Sequence, residues 1–108
     1  MMKLQVNGRV NEPQMFTAKN GRNGQNFSIA NEYKEKKGDD IVLLTQWIDC
    51  TQWQNDEQPL AKIKKGDKLN VIGIPITEVY QVKETKEFKA KLKCIVSWVE
   101  VVNELPFE

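Results

Sequence analysis

A chain of 108 residues has room for one domain and one hydrophobic core. Its composition, 40% apolar and 29% charged, is that of an ordinary soluble domain, and a net charge of +1 means that any attraction for a polyanion must be local. There is no histidine, which excludes His-based triads and the common zinc-hydrolase motifs, and the longest aliphatic run, Ile41-Val42-Leu43-Leu44, is too short for a membrane span or signal peptide, so a cytoplasmic protein is expected.

Leu4, Val6, Gly8 and Val10 alternate with Lys3, Gln5, Asn7 and Arg9, the pattern of a half-buried strand that Pro13 ends. Asn20-Gly21 and Asn23-Gly24 are turn dipeptides in a loop that also carries Lys19 and Arg22. Phe27-Ser28-Ile29-Ala30 resumes as a second strand, completing a hairpin. Lys34 to Asp40 mixes charges, lacks apolar residues and reads as a solvated loop. Ile41 to Trp53 is a third strand. A short helix of about two turns is expected next: Asp56 can cap it, Pro59 suits its first turn, lysines crowd its last turn and Gly66 stops it. Lys68 to Val82 is a fourth strand, Lys83 to Lys86 a hairpin turn, and Glu87 to Val102 a fifth strand. In that strand Phe88, Ala90, Leu92, Cys94, Val96 and Trp98 share one face, assigned to the core, while Lys89, Lys91 and Lys93 share the other.

Trp47 and Trp53 are six residues apart, an even spacing that puts both on one face of the third strand with Asp49 and Thr51. Ile48, Cys50 and Gln52 then point the other way. Two indoles on a wet face form a platform on which flat rings can stack, and nucleobases are the flat rings that proteins most often bind this way. The competing reading makes one tryptophan core and leaves the other partly exposed by chance. Cys50 and Cys94 read as buried free thiols. Asp39-Asp40 reads as a turn, and Gly21-Arg22-Asn23-Gly24 lacks the Gly-Lys-Ser/Thr ending of a P-loop. No catalytic constellation, metal site or cofactor motif emerges, so a binding protein is expected rather than an enzyme.

Five strands with one short helix between the third and fourth is the order of an OB-fold barrel, here over residues 1–102 with a C-terminal tip at 103–108. OB-folds bind oligonucleotides on the face of strands two and three and through two loops, which here are the basic loop Lys19 to Asn26 and the hairpin Tyr80 to Phe88. The lysines at 89, 91 and 93 form a candidate phosphate track.

These residues resemble the bacterial and phage single-stranded DNA-binding proteins over nearly the whole chain. Gly8-Arg9-Val10-Asn11-Glu12-Pro13 is similar to the family's Gly-x-Leu-x-x-Asp-Pro opening, and Asn23-Gly24 through Ala30 to its Asn-Gly and second strand. Trp47 through Trp53 resembles the aromatic-Ile-Asn-Cys-x-x-Trp third strand of some members. Leu60-Ala61, Lys64-Lys65-Gly66 and Val71-Ile72-Gly73 are similar to its helix, Lys-Gly stop and next strand. The resemblance implies base-stacking aromatics at Trp47, Trp53 and Tyr80, the last seven residues after Gly73, with Tyr33 near a fourth such position. It implies sequence-tolerant binding of single-stranded DNA in replication, recombination and repair by a homo-oligomer, tetramer or dimer. Asp49 departs from the pattern by placing an anion on the binding face. Glu104-Leu105-Pro106-Phe107 resembles the family's acidic tip, without the usual linker and with Glu108 after Phe107. That tip implies replication or recombination proteins as partners through Leu105, Pro106 and Phe107. The rival readings are an OB-fold primosomal or recombination accessory protein working mainly through protein contacts, a nuclease on a similar barrel, and RNA as the ligand.

Overall fold

Strand alternation accounts for most of the architecture. A computed structural model describes residues 2–55 and 58–102. It contains β1 (Leu4–Val10), β2 (Gln14–Thr17), β3 (Asn23–Lys37), β4 (Asp40–Trp53), β5 (Lys68–Gln81) and β6 (Phe88–Val101). The strands form one sheet in the order β1-β5-β6-β4-β3-β2, and β1 also pairs with β3. That extra pairing, Arg9 with Ala30 and Val10 with Ile29, closes a five-stranded barrel and leaves β2 as an appended edge. All neighbours are antiparallel except β4 and β6, which run parallel where Asp49, Cys50 and Thr51 meet Lys93, Cys94 and Ile95. This is the expected OB-fold barrel. Among the described residues no helix is long and apolar enough to cross a membrane.

The inward positions of five strands fill the barrel: Val6 and Val10, Phe27 and Ile29, Ile48 and Cys50, Leu69 and Val71, Cys94 and Val99. Both cysteines are free and buried. Contact with Cys94 and burial push the Cys50 thiol well above its ordinary range, so it stays protonated. Gly73 is buried because β5 crosses β6 closely there. A Cβ at this position would lie 2.2 Å from the Ile95 carbonyl oxygen and 2.5 Å from the Cys94 sulfur.

Four expectations need correction. The short helix is not formed by the described residues of the β4–β5 connection, and Asp56 lies outside them. The buried amides of Gln25 and Gln52 explain the difference. Gln25 Nε2 donates to Gln52 Oε1 (2.7 Å) and to the Ala61 carbonyl (2.9 Å), and the Ala61 N–H donates to Gln52 Oε1 (3.0 Å). Backbone groups that a helix would use internally are instead tied to the barrel end. The supposed solvated loop at Lys34 to Asp40 is the end of a long β3–β4 ribbon, with Lys37 opposite Asp40 and Gly38 at φ 62° in the tight turn. A ribbon exposed on both faces shows no apolar alternation, which is why it read as loop.

The second strand begins at Asn23 rather than near Phe27, and the turn before it is confined to Ala18–Arg22, with Gly21 at φ 84°. Finally, Phe88 and Trp98 are not core residues, being 73% and 42% exposed. The β5–β6 ladder slips between Ile72, opposite Trp98, and Gly73, opposite Val96. Ser97 is the extra residue of this bulge. It inverts the alternation, so Val99 points inward and Trp98 outward. Phe88 lies opposite Gln81 at the tip of the β5–β6 arm, past the last β4–β6 pairing.

These placements set contrasting stabilities. Phe88→Ala is expected to leave the urea-unfolding free energy within about 0.5 kcal/mol of wild type. Gly73→Ala, which forces a methyl into backbone and sulfur, is expected to cost about 1–3 kcal/mol or more.

Candidate nucleic-acid interface

The β3–β4 ladder runs without interruption from Gly24 opposite Trp53 to Lys37 opposite Asp40. Alternation therefore holds along its length, and Trp47, Asp49, Thr51 and Trp53 stand on the outer face as expected, over the buried Ile48, Cys50 and Gln52. Across β3 they meet Ala30, Ser28, Asn26 and Gly24. The small Ala30 opposite Trp47 leaves that indole 59% exposed.

Trp53 is braced rather than open. Phe16 packs edge-on against it, with ring centroids 5.0 Å apart and planes at 83°, and the Arg22 guanidinium lies 5.0 Å from its ring centroid. Arg22 Nε also donates to the Gln54 carbonyl at 3.4 Å, holding the turn against the end of β4. Gly24 makes this possible: a Cβ there would come within 2.6 Å of the Phe16 ring. Phe16 and the short strand β2 carrying it escaped the sequence reading. The signal present was the β-prone run Met15-Phe16-Thr17 between Pro13 and the Asn-Gly turn. Lys19 sits exposed in the same turn.

The parallel pairing of Asp49 with Lys93 brings β6 onto this face, and with it Lys89, Lys91 and Lys93. On β5 their partners are Tyr80, Glu78 and Ile76. Tyr80 is therefore on the same outer surface as the two tryptophans, 41% exposed, with the Lys91 ammonium 5.7 Å from its ring centroid. Tyr33 is not brought to them. It pairs with Leu44 in the ladder that pairs Ala30 with Trp47, and this odd offset puts it on the opposite face of the ribbon, 44% exposed. Leu105, Pro106 and Phe107 lie outside the described residues.

Asp49 is fully engaged. One carboxylate oxygen accepts the Ser28 hydroxyl at 2.7 Å, and the other lies 3.5 Å from Lys91 Nζ. Lys93 is paired with Glu78, a residue that the sequence reading did not single out. Its hydrogen bond from Lys93 holds the Glu78 carboxyl below the usual range, and the same bond raises Lys93. Between the tryptophans lies a polar groove of about 300 Å³ lined by Asn11, Gln14, Asn26, Ser28, Asp49 and Thr51. The Asn11 side-chain oxygen Oδ1 accepts the Ser28 N–H (2.8 Å) and Oδ1 of Asn26 accepts the Thr51 hydroxyl (2.7 Å). Their amide N–H groups are then turned to serve as donors. The surface thus offers rings for stacking, cations for phosphate and amides for base edges.

Comparison with known proteins bears on the family and the fold. The model of the single-strand binding protein family matches residues 1–102. The fold is similar to that of a Plasmodium falciparum SSB solved in complex with ssDNA, with TM-score 0.73 and 18% identity over 95% of this chain and 96% of that one. It is also similar to a small single-stranded DNA-binding protein from Streptomyces coelicolor (TM-score 0.71, 10% identity, 94% of each chain). A third similar structure is the protein PriB from Ralstonia solanacearum (TM-score 0.63, 15% identity, 95% of this chain and 99% of that one). No curated protein sequence matches the chain.

The bracing of Trp53 has a direct readout. With Trp47 and Trp98 replaced by phenylalanine, Phe16→Ala is expected to raise acrylamide quenching of the remaining indole and to shift its emission to the red. Unchanged quenching would show that Phe16 does not shield the ring.

Proposed function

The chain belongs to the single-strand binding protein family, and we infer that it binds single-stranded DNA along the outer face of β3, β4, β6 and β5. The observation that carries this reading is the convergence of Trp47, Trp53 and Tyr80 on one surface with the lysines of β6, because the three rings come from two separated strands. Bases stack on the rings, each contact being worth about 1–3 kcal/mol. These values do not sum, since ordering the strand offsets much of the gain. At Trp53 a base must use the ring face that Arg22 leaves open or displace the guanidinium, which then becomes available to a phosphate. Asn11 and Asn26 meet base edges in the groove between the indoles. Lys19 and the β6 lysines follow the backbone. Every base has a π-face, so such a surface tolerates sequence. Tyr33, on the other face of the ribbon, contributes only if the strand wraps round its edge.

The task is binding, with no bond made or broken, in the coating of strands exposed by replication, recombination and repair in the cytoplasm. One OB barrel covers about 4–16 nucleotides. Wrapping a longer strand requires several copies, and a homo-oligomer, dimer or tetramer, is supported by apolar side chains left outside the core, among them Trp98 and Val79. The Leu105-Pro106-Phe107 tip is the natural point for recruiting replication or recombination proteins.

Titration with oligo-dT is expected to quench the intrinsic tryptophan fluorescence. Trp47→Ala and Tyr80→Ala should each weaken binding by about 1–3 kcal/mol while leaving the melting temperature nearly unchanged, because both rings are exposed. Full emission at saturating oligonucleotide, or binding unaffected by either variant, would overturn the assignment.

A further inference from the structure

Two of the three lysines on the binding face are already neutralised. Lys91 is paired with Asp49, and Lys93 with Glu78. Strand register makes this systematic. Asp49 on β4 stands beside Lys93 on β6, and Glu78 on β5 stands opposite Lys91, so each carboxylate reaches diagonally to the other's neighbour. Of the lysines at 89, 91 and 93, only Lys89 has no carboxylate opposite it. Its β5 partner is Tyr80.

We propose that Asp49 and Glu78 are built-in stand-ins for the DNA phosphates, exchanged for them when a strand binds, and that they make binding to this face less dependent on salt. The proposal rests on the reading of this face as the DNA path. The exchange is physically easy. All four side chains are between 38% and 45% exposed, so the pairs are weak, and the lysine ammonium sits on a flexible stem that can swing. Asp49 is also held by Ser28, so the lysine moves and the carboxylate stays.

Counter-ion bookkeeping gives the consequence. A phosphate met by a free lysine releases its condensed cation, which is the source of salt dependence. When the lysine leaves a carboxylate to meet that phosphate, the carboxylate takes up a cation from solution. Release and uptake then cancel. Lys91 and Lys93 add to affinity through contact and position but contribute little to the slope of log affinity against log salt. Asp49, which the sequence presents as a repulsive intruder on the face, becomes part of a matched pair.

The test is the salt slope of oligo-dT binding, read by tryptophan fluorescence, for wild type, Glu78→Gln, Asp49→Asn and the double variant. Glu100→Gln serves as control. It removes the same charge from β6, opposite Asn70 and away from these lysines. Each freed lysine is expected to steepen the slope by about 0.7. Between about 50 and 200 mM salt, each single variant then loses about threefold more affinity than wild type, and the double variant about sevenfold more. All three variants bind more tightly than wild type at low salt. Glu100→Gln keeps the wild-type slope. Parallel slopes for all proteins would overturn the proposal, as would a control that steepens as much as Glu78→Gln, because the effect would then be one of net charge. These outcomes leave the DNA reading intact. Absence of quenching in every protein at low salt would reject that reading, and the proposal with it.

Discussion

The parallel pairing of β4 with β6 covers only three positions, yet the barrel and its candidate binding face both depend on it. Cys50 opposite Cys94 points inward and joins the core, while Asp49 opposite Lys93 and Thr51 opposite Ile95 lie on the outer side. A one-residue slip of β6 would turn Lys93 inward and Cys94 outward, burying a charge and exposing a thiol. The strong penalty on that exchange fixes the register. The register in turn brings the β6 lysines, and through β5 also Tyr80, onto the surface already carrying the two tryptophans.

Both long ribbons leave the barrel before they end. Within the barrel one strand face is covered, and alternation between apolar and polar residues is strict. Beyond it neither face is covered, and apolar side chains such as Leu43, Val79 and Phe88 stand in the open. Open aromatic and aliphatic surface costs little stability where no core can cover it, and it supplies the area that a flexible strand needs. The rings differ in preparation. Trp53 sits where the barrel still lends it neighbours and is held by Phe16 and Arg22. Trp47 and Tyr80 lie farther out, with more freedom to meet a base.

Charge follows the same division of labour. The molecule as a whole is near neutral, and the charge of the candidate binding surface is damped, because Lys91 and Lys93 are matched by carboxylates on adjacent strands. Attraction at long range is then small, and contact chemistry governs what binds. A surface built this way favours ligands that bring both rings and anions at the right spacing over polyanions in general.

Much of this was legible in the residues alone. Alternation in Leu4–Val10 and in Trp47–Trp53 determined which side chains face inward, because a period of two admits one assignment once one face is apolar. The strand order pointed to the OB-fold, and the spacing of the two tryptophans put both on one outer face, the face proposed here to bind DNA. The structure decided what depends on partners distant in sequence. Gln25 and Gln52 captured Ala61 and so prevented a helix that local punctuation favoured, since buried amide-to-backbone hydrogen bonds outweigh weak helix propensity. The bulge at Ser97 inverted the alternation and turned Trp98 outward, which no single-strand pattern records because a bulge exists only relative to its neighbour. Tyr33 was separated from Trp47 by ladder parity, and Glu78 was matched to Lys93 across two strands. Periodicity along one strand is a local property and can be read directly. Pairing between strands is non-local, and only the folded barrel determines it.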